Sequence, residues 1–128
     1  MTADKKNSIV LLGILCAVTF FVFSPALKNG FTNCDDTDNV THNPMITELS
    51  WKNIKTMFTT TSVFYIYYPL VHLSYAVEQH FFKLKPFPYH LTNLLLHIMN
   101  TVLVFYLILT VSRNKSVAFF TALMFGIH

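Results

Sequence analysis

The chain has 128 residues, of which 53% are hydrophobic and only 12% are charged, and its net charge is +3. A soluble domain carries about 25% charged residues, so this deficit, together with long charge-free runs, is typical of a membrane protein. The small net charge and the dispersed basic residues exclude a nucleic-acid-binding surface. No disulfide is expected between Cys16 and Cys34, because the first lies inside an apolar run and the second outside it.

The first predicted element is a membrane-spanning helix at residues 8–27, a run of 20 residues without a charge. At about 1.5 Å per residue this helix is about 30 Å long, which matches the hydrocarbon core of a bilayer. Lys5 and Lys6 precede the run, as in a signal peptide. The run is longer than the apolar part of such a peptide, about 7–15 residues, and no small-x-small cleavage site directly follows it. We therefore predict an uncleaved span.

The next segment is polar and then becomes amphipathic. Residues 28–43 contain a cluster of Asp and Asn, which predicts a loop. In residues 46–58, Ser50 can cap a short helix that begins at Trp51. This helix fits either the headgroup layer of a membrane or the surface of a soluble loop, and the sequence leaves both open.

Two proline-containing segments follow. Residues 59–77 carry no charge, so they could span, but Pro69 and the abundant tyrosines favour a position at the outer membrane interface. Residues 78–89 contain Pro86 and Pro88 and are predicted to form a turn region that is not helical.

The second predicted span covers residues 90–111, which contain no Asp, Glu, Lys or Arg. Asn93, His97 and Asn100 fall on one face of this helix. Because polar groups are costly in lipid, we expect that face to contact other helices.

Residues 117–128 are apolar again, but 12 residues reach only about 18 Å, so we expect a third span that the end of the chain interrupts. Short basic segments precede the first span and follow the second, which predicts that both lie in the cytoplasm and that residues 28–89 are extracytoplasmic. The sequence thus predicts an all-α, polytopic membrane helical bundle, with residues 1–128 forming one partial membrane domain.

Chemistry in this outer segment depends on Asp35 and Asp36, which lie about eight residues beyond the first span. A carboxylate at the membrane surface can act as a general base on a hydroxyl, and a second one beside it can orient the first or hold a divalent cation. Spacing alone favours a different interpretation, a solvated acidic turn. His72, His80, His90 and His97 lack zinc-ligand spacing and are expected to pack at helices or at the interface.

Three stretches of the chain carry a family resemblance. Residues 31–60 read FTNCDDTDNVTHNPMITELSWKNIKTMFTT, residues 67–108 read YYPLVHLSYAVEQHFFKLKPFPYHLTNLLLHIMNTVLVFYLI, and residues 122–128 read ALMFGIH. Together they resemble the membrane N-terminus of GT-C glycosyltransferases with tetratricopeptide repeats, such as transmembrane O-mannosyltransferases and their bacterial relatives. The resemblance covers roughly residues 20–128. Relatives usually have Trp before the acidic pair, where this chain has Cys34.

The resemblance implies an integral membrane enzyme of the bacterial inner membrane or the endoplasmic reticulum. It implies transfer of a sugar, with mannose as one candidate, from a polyprenyl-phosphate donor to a protein or glycan hydroxyl outside the cytosol. Asp35 and Asp36 would be the catalytic pair, and His128 would bind substrate near the lipid phosphate. The GT-C-like membrane domain would be incomplete here, so activity of this segment alone is not expected. A divalent metal ion as cofactor stays open.

A second hypothesis is non-catalytic: a small membrane protein whose outer loop binds a partner protein. It requires a complete membrane domain within 128 residues, and the short apolar segment at 117–128 argues against it.

Overall fold

The computed structural model describes residues 3–61 and 66–128, and these residues contain helices and no β-strand. The all-α prediction is therefore confirmed for the described part of the chain. The α-helices are α1 (Ala3–Phe23), α2 (Trp51–Thr59), α3 (Pro69–Phe82), α4 (Pro86–Ser112) and α5 (Lys115–Ile127). A 3₁₀ segment, Ser24–Lys28, follows α1, and a π-helical turn, Thr37–Thr41, precedes α2.

The chain forms two compact units. The terminal unit combines Met1–Lys28 with His90–His128, and the central unit is Asn29–Tyr89. The first four residues of α4 thus belong to the central unit, and the rest of that helix belongs to the terminal unit.

Two helical stretches of the chain, Lys6–Lys28 and Pro86–Ser112, are long and apolar enough to cross a membrane. Only 11% and 17% of the residues in their most apolar windows are buried within the protein. An all-round apolar helix of a soluble protein is normally buried in its core. The combination of apolar composition and exposure indicates a membrane protein.

Prolines begin helices in this chain instead of interrupting them. Pro69 occupies the first turn of α3, and Pro86 is the first residue of α4. Proline is tolerated there, because a backbone N–H in the first turn of a helix has no acceptor within the helix, so its absence from proline removes no hydrogen bond. The prediction that residues 78–89 cannot be helical is therefore wrong: α3 continues to Phe82, and only residues 83–85 separate the two helices. Lys83 makes the break with a positive φ of 58°.

Small and hydroxyl side chains bring the helices of the terminal unit close together, beside a cluster of buried apolar residues. Thr19 and Thr101 are buried, and Gly126 brings α5 against both of them. A Cβ added at Gly126 would lie 2.6 Å from Thr19 Oγ1 and 3.0 Å from Thr101 Cγ2. Such close approach through small residues is typical of helix packing in membranes. A cluster of buried apolar residues in this unit consists of Leu15, Phe105, Ala118 and Ala122.

The predicted polar face of the second span is confirmed at His97 and corrected at Asn93 and Asn100. His97 is half-buried, and its Nε2–H donates to the Gly126 carbonyl at 3.3 Å. Asn93 and Asn100, in contrast, are exposed. The reason is that α5 packs against the side of α4 that carries His97 and Thr101, which are one turn apart, and Asn100 lies to one side of that line.

The core of the central unit contains Val40, Ile46, Met57, Ala76 and Tyr89. Against this core α2 begins at Trp51, as predicted. The Ser50 side chain accepts a hydrogen bond from the Asn53 backbone N–H at 3.3 Å, which satisfies one free donor of the helix.

One prediction in the central unit needs correction, and another falls partly on residues that the structure does not describe. Residues 28–43, expected to be a loop, contain the π-helical turn, which the Thr37 carbonyl closes by accepting from the His42 backbone N–H at 2.9 Å. Of residues 59–77, 62–65 lie outside the described residues, and 69–77 belong to α3. An interfacial position for that segment stays a prediction.

Candidate active site

The acidic pair lies at the entrance to the π-helical turn, and its two carboxylates differ in surroundings. Asp36 is half-buried, and its Oδ2 accepts from the Thr32 backbone N–H at 2.8 Å and from Thr32 Oγ1 at 3.2 Å. Asp35 is exposed and makes no such local bond among the described residues. Hydrogen bonds from Thr32 therefore fix the Asp36 carboxylate, whereas the exposed Asp35 carboxylate is available to a ligand.

Asp35 lines an open cavity of about 450 Å³ in the central unit. The other described residues around this cavity are Asn39, Ile66, Tyr68, Val71 and Tyr75. Among them Asp35 supplies the carboxylate, one amide and two phenols supply further polar groups, and two aliphatic side chains supply apolar surface. A base facing a cavity with this mixture of groups fits a ligand that carries hydroxyls.

One wall of the cavity is fixed by a contact between residues far apart in sequence. The Tyr68 hydroxyl donates to Asn39 Oδ1 at 2.6 Å and so connects the start of α3 to the π-helical turn. The same amide belongs to an Asn-Val-Thr sequon, but it is half-buried in a helical turn. Its structural role here is that of an acceptor for Tyr68.

The His72 ring packs against the Tyr68 ring in an edge-to-face contact, with the ring centroids 4.6 Å apart. The side chain is only 3% exposed, and in the described part of the chain its Nε2 has no hydrogen-bond partner. Burial lowers the pKa of His72, which keeps the imidazole neutral near pH 7. His72 thus provides packing for Tyr68 without adding a charge to the cavity.

Tyr75 remains a hydrogen-bond donor at neutral pH. Burial raises the pKa of the Tyr75 phenol, and the negative charges of Asp36 and Glu78 raise it further. This side chain can therefore donate to a ligand oxygen, but it does not act as a base. Asp35 is the group at the cavity that can accept a proton.

His128 lies in the terminal unit, at a different cavity of about 310 Å³. That cavity is lined by Phe23, Ala26, His90, Asn93, Leu94, His97 and His128. Three imidazoles and one amide are surrounded by apolar side chains there. This composition suits a ligand that combines an anionic or polar group with an apolar chain.

The described residues offer no preassembled metal centre. Among residues 3–61 and 66–128, no group of three or more His, Cys, Asp or Glu side chains is placed to hold a metal ion. Cys16 and Cys34 are both free thiols.

Sequence reasoning identified the acidic pair but missed Asn39, Tyr68 and Tyr75. A signal for the two tyrosines exists in their separation of seven residues, a spacing that recurs on one side of a helix. For Asn39 no local signal exists, since its partner is 29 positions away.

No protein-family model matches the chain, and no solved structure matches it. A curated relative is the protein O-mannosyl-transferase TMTC1 of Mus musculus, which is 27% identical over 124 residues. The match covers 90% of this chain but only 13% of the relative's length. It links the chain loosely to the O-mannosyltransferases, which agrees at that level with the resemblance seen in the sequence.

Proposed function

We propose that this chain is the membrane-embedded part of a glycosyltransferase. It would move a sugar, with mannose as the first candidate, from a polyprenyl-phosphate donor to a hydroxyl of a protein or glycan outside the cytosol. The observation that carries the proposal is the carboxylate of Asp35 at the cavity of the central unit. The likeness to an O-mannosyl-transferase supports the choice of reaction.

In the proposed reaction, Asp35 takes the proton from the acceptor hydroxyl as its oxygen attacks the anomeric carbon of the sugar. A new carbon–oxygen bond forms to the acceptor, and the bond between the anomeric carbon and the phosphate oxygen breaks. Polyprenyl phosphate leaves with the electron pair of that bond. The protonated Tyr75 at the same cavity can donate to a hydroxyl of the bound ligand.

Asp36 has a positioning role in this proposal. Its two hydrogen bonds from Thr32 hold the backbone at the start of the turn and thereby set the direction of the neighbouring Asp35. Consecutive side chains of a helical turn point about 100° apart, which supports the division of roles.

For His128 we propose contact with the phosphate of the lipid donor. The support is its position, with His90 and His97, at an otherwise apolar cavity of the terminal unit. Imidazole N–H groups donate well to phosphate oxygens, and the apolar lining suits the start of a polyprenyl chain.

The reaction is tested by reconstituting the full-length protein in liposomes with a panel of polyprenyl-phosphate sugars and a peptide that carries hydroxyls. We expect sugar to appear on the peptide with at least one donor. Folded protein that transfers sugar from none of them would favour the non-catalytic hypothesis, in which the outer segment binds a partner.

The proposed topology has spans at residues 8–27 and 90–111 and an extracytoplasmic segment at 28–89. In a background with both native cysteines replaced, Glu48→Cys and Ser116→Cys place single thiols at exposed positions on either side of the second span. A membrane-impermeant thiol reagent should label them from opposite sides. Labelling of both from the same side would contradict this topology.

Tyr68→Phe should weaken catalysis modestly, because it removes the hydrogen bond to Asn39 that fixes one cavity wall. One such bond contributes about 0.5–1.5 kcal/mol, so we expect a fall in kcat/KM of about 2–10-fold. The matched control is Tyr67→Phe, which removes a similar bond to the Phe58 carbonyl away from the cavity lining. Equal effects of both variants on kcat/KM would contradict a role specific to Tyr68.

A further inference from the structure

An open cavity of about 380 Å³ lies within the terminal unit, between the beginnings of α1 and α5. Its described lining residues are Asn7, Val10 and Leu11 of α1 and Lys115 of α5. Lys115 supplies a positive charge, Asn7 supplies an amide, and the other two residues supply aliphatic surface. This composition suits a ligand that combines an anionic group with a hydrocarbon chain.

The polar and apolar parts of this cavity lie at different depths along α1. The first candidate span begins at Lys6, so Asn7 lies at its entrance, the level of the lipid headgroups. Val10 and Leu11 follow one turn later, about 4.5–6 Å further along the helix axis, where the acyl chains begin. The phosphate and the upper acyl chain of a phospholipid are arranged in the same order.

Side chains, and not the N-terminal N–H groups of α5, are the donors that face an anionic group here. Asn114 caps this helix, because its Oδ1 accepts from the backbone N–H groups of Ser116 and Val117 at 2.9 and 3.2 Å. Among the described lining residues the side-chain donors are the Lys115 ammonium and the Asn7 amide. An ammonium forms a strong charge-assisted hydrogen bond with a phosphate oxygen.

The charge around the cavity is positive. The segments that meet at this end of the unit carry four basic residues and one acidic residue, namely Lys5, Lys6, Arg113, Lys115 and Asp4. The Lys6 and Arg113 side chains are exposed. Basic pockets between membrane helices bind the headgroups of anionic lipids, so charge complementarity favours an anionic phospholipid over a neutral one.

This cavity is distinct from the one at His128. Lys115 is the first residue of α5 and His128 follows its last residue, so a helix of 13 residues, about 20 Å long, separates them. Under the proposed topology the cavity lies on the cytoplasmic side, where the leaflet is rich in anionic lipids. None of the residues that line it is assigned to sugar transfer.

From these observations we propose that the cavity between α1 and α5 binds one anionic phospholipid. The lipid phosphate accepts hydrogen bonds from the Lys115 ammonium and the Asn7 amide, and the first carbons of an acyl chain lie against Val10 and Leu11. The bound lipid thereby connects the beginnings of α1 and α5. The site goes beyond the proposed transfer reaction and does not depend on it.

Native mass spectrometry of the full-length protein in detergent tests this site, because it counts the lipids bound to each protein molecule. The protein is titrated with phosphatidylglycerol and, separately, with phosphatidylcholine of the same acyl chains. Lys115→Gln removes the charge at the cavity, and Lys6→Gln is the matched control, since Lys6 is exposed and does not line it. Val10→Phe fills the apolar part of the cavity, and Ile9→Phe, at an exposed residue outside the lining, is its control.

We expect one phosphatidylglycerol to bind at least about fivefold more tightly than phosphatidylcholine. Lys115→Gln should weaken its binding by about tenfold or more, because a charge-assisted hydrogen bond is lost. Lys6→Gln should change it by less than about threefold, since salt screens an exposed charge that does not contact the lipid. Val10→Phe should weaken binding more than Ile9→Phe does, which tests the site even if Lys115→Gln fails to fold.

Equal binding of the two lipids would overturn the proposal. Equal losses in Lys115→Gln and Lys6→Gln would also overturn it, because the attraction would then be diffuse. Binding of inorganic phosphate alone, with the same dependence on Lys115, would show a site for a free anion and would contradict the assignment to a lipid. No bound phosphatidylglycerol at all would mean that another part of the full-length protein covers the cavity.

Discussion

Asp35→Asn is expected to lower the rate of sugar transfer by about 10²–10⁴-fold, the usual effect of removing a general base. The carboxylate of Asp35 faces the cavity of the central unit, and an amide of the same size cannot accept the proton of the acceptor hydroxyl. Asp36→Asn should have a smaller effect, because an amide oxygen at that position still accepts a hydrogen bond from Thr32.

The matched control for these two variants is Asp38→Asn, which removes the same charge from an exposed residue that does not line the cavity. Single-turnover transfer with full-length protein, normalised to folded enzyme, measures all three rates. A rate for Asp35→Asn within about threefold of the Asp38→Asn rate would be too small a loss for a general base, and the acidic pair would then be a structural turn.

Gly126→Ala should destabilise the terminal unit by about 1–3 kcal/mol, the usual cost of adding a methylene to a well-packed site. The added Cβ would lie 2.6 Å from Thr19 Oγ1 and 3.0 Å from Thr101 Cγ2, so the helices would have to separate. Gly13→Ala is the matched control, since no atom lies within 4 Å of a Cβ built there. At that helical position alanine should be neutral or stabilising by up to about 1 kcal/mol.

Reversible unfolding in detergent micelles gives both free-energy changes, and helicity by circular dichroism shows whether the variants fold. If Gly126→Ala were as stable as Gly13→Ala, the close approach of α5 to Thr19 and Thr101 would be wrong.

The long helices could be predicted from the sequence, because charge-free runs of this length have few alternatives in a membrane. The residues at which the helices begin and end could not be predicted with the same accuracy. In the sequence, Pro86 indicates a break and Pro69 argues against a span, although each proline begins a helix in the structure. A proline permits either outcome, since it can interrupt one helix or occupy the first turn of the next.

The acidic pair could be identified from the sequence, but the different roles of its members could not. The distinction depends on the hydrogen bonds from Thr32 to Asp36 and on the position of Asp35 at the cavity. The contact between Tyr68 and Asn39 bridges 29 positions and depends on how α3 packs, which no local pattern encodes. The exposure of Asn100 has the same origin, since the packing of α5 decides which side of α4 is covered.

The central claim, extracytoplasmic sugar transfer that depends on Asp35, is tested most directly by the side of the membrane on which transfer occurs. Full-length protein is reconstituted in liposomes in one orientation, which labelling of Glu48→Cys assigns, and an impermeant hydroxyl peptide is supplied on either side. The account predicts glycosylated peptide only on the side where position 48 is labelled, and its loss in Asp35→Asn. Product on the opposite side, or undiminished product from Asp35→Asn, would contradict it.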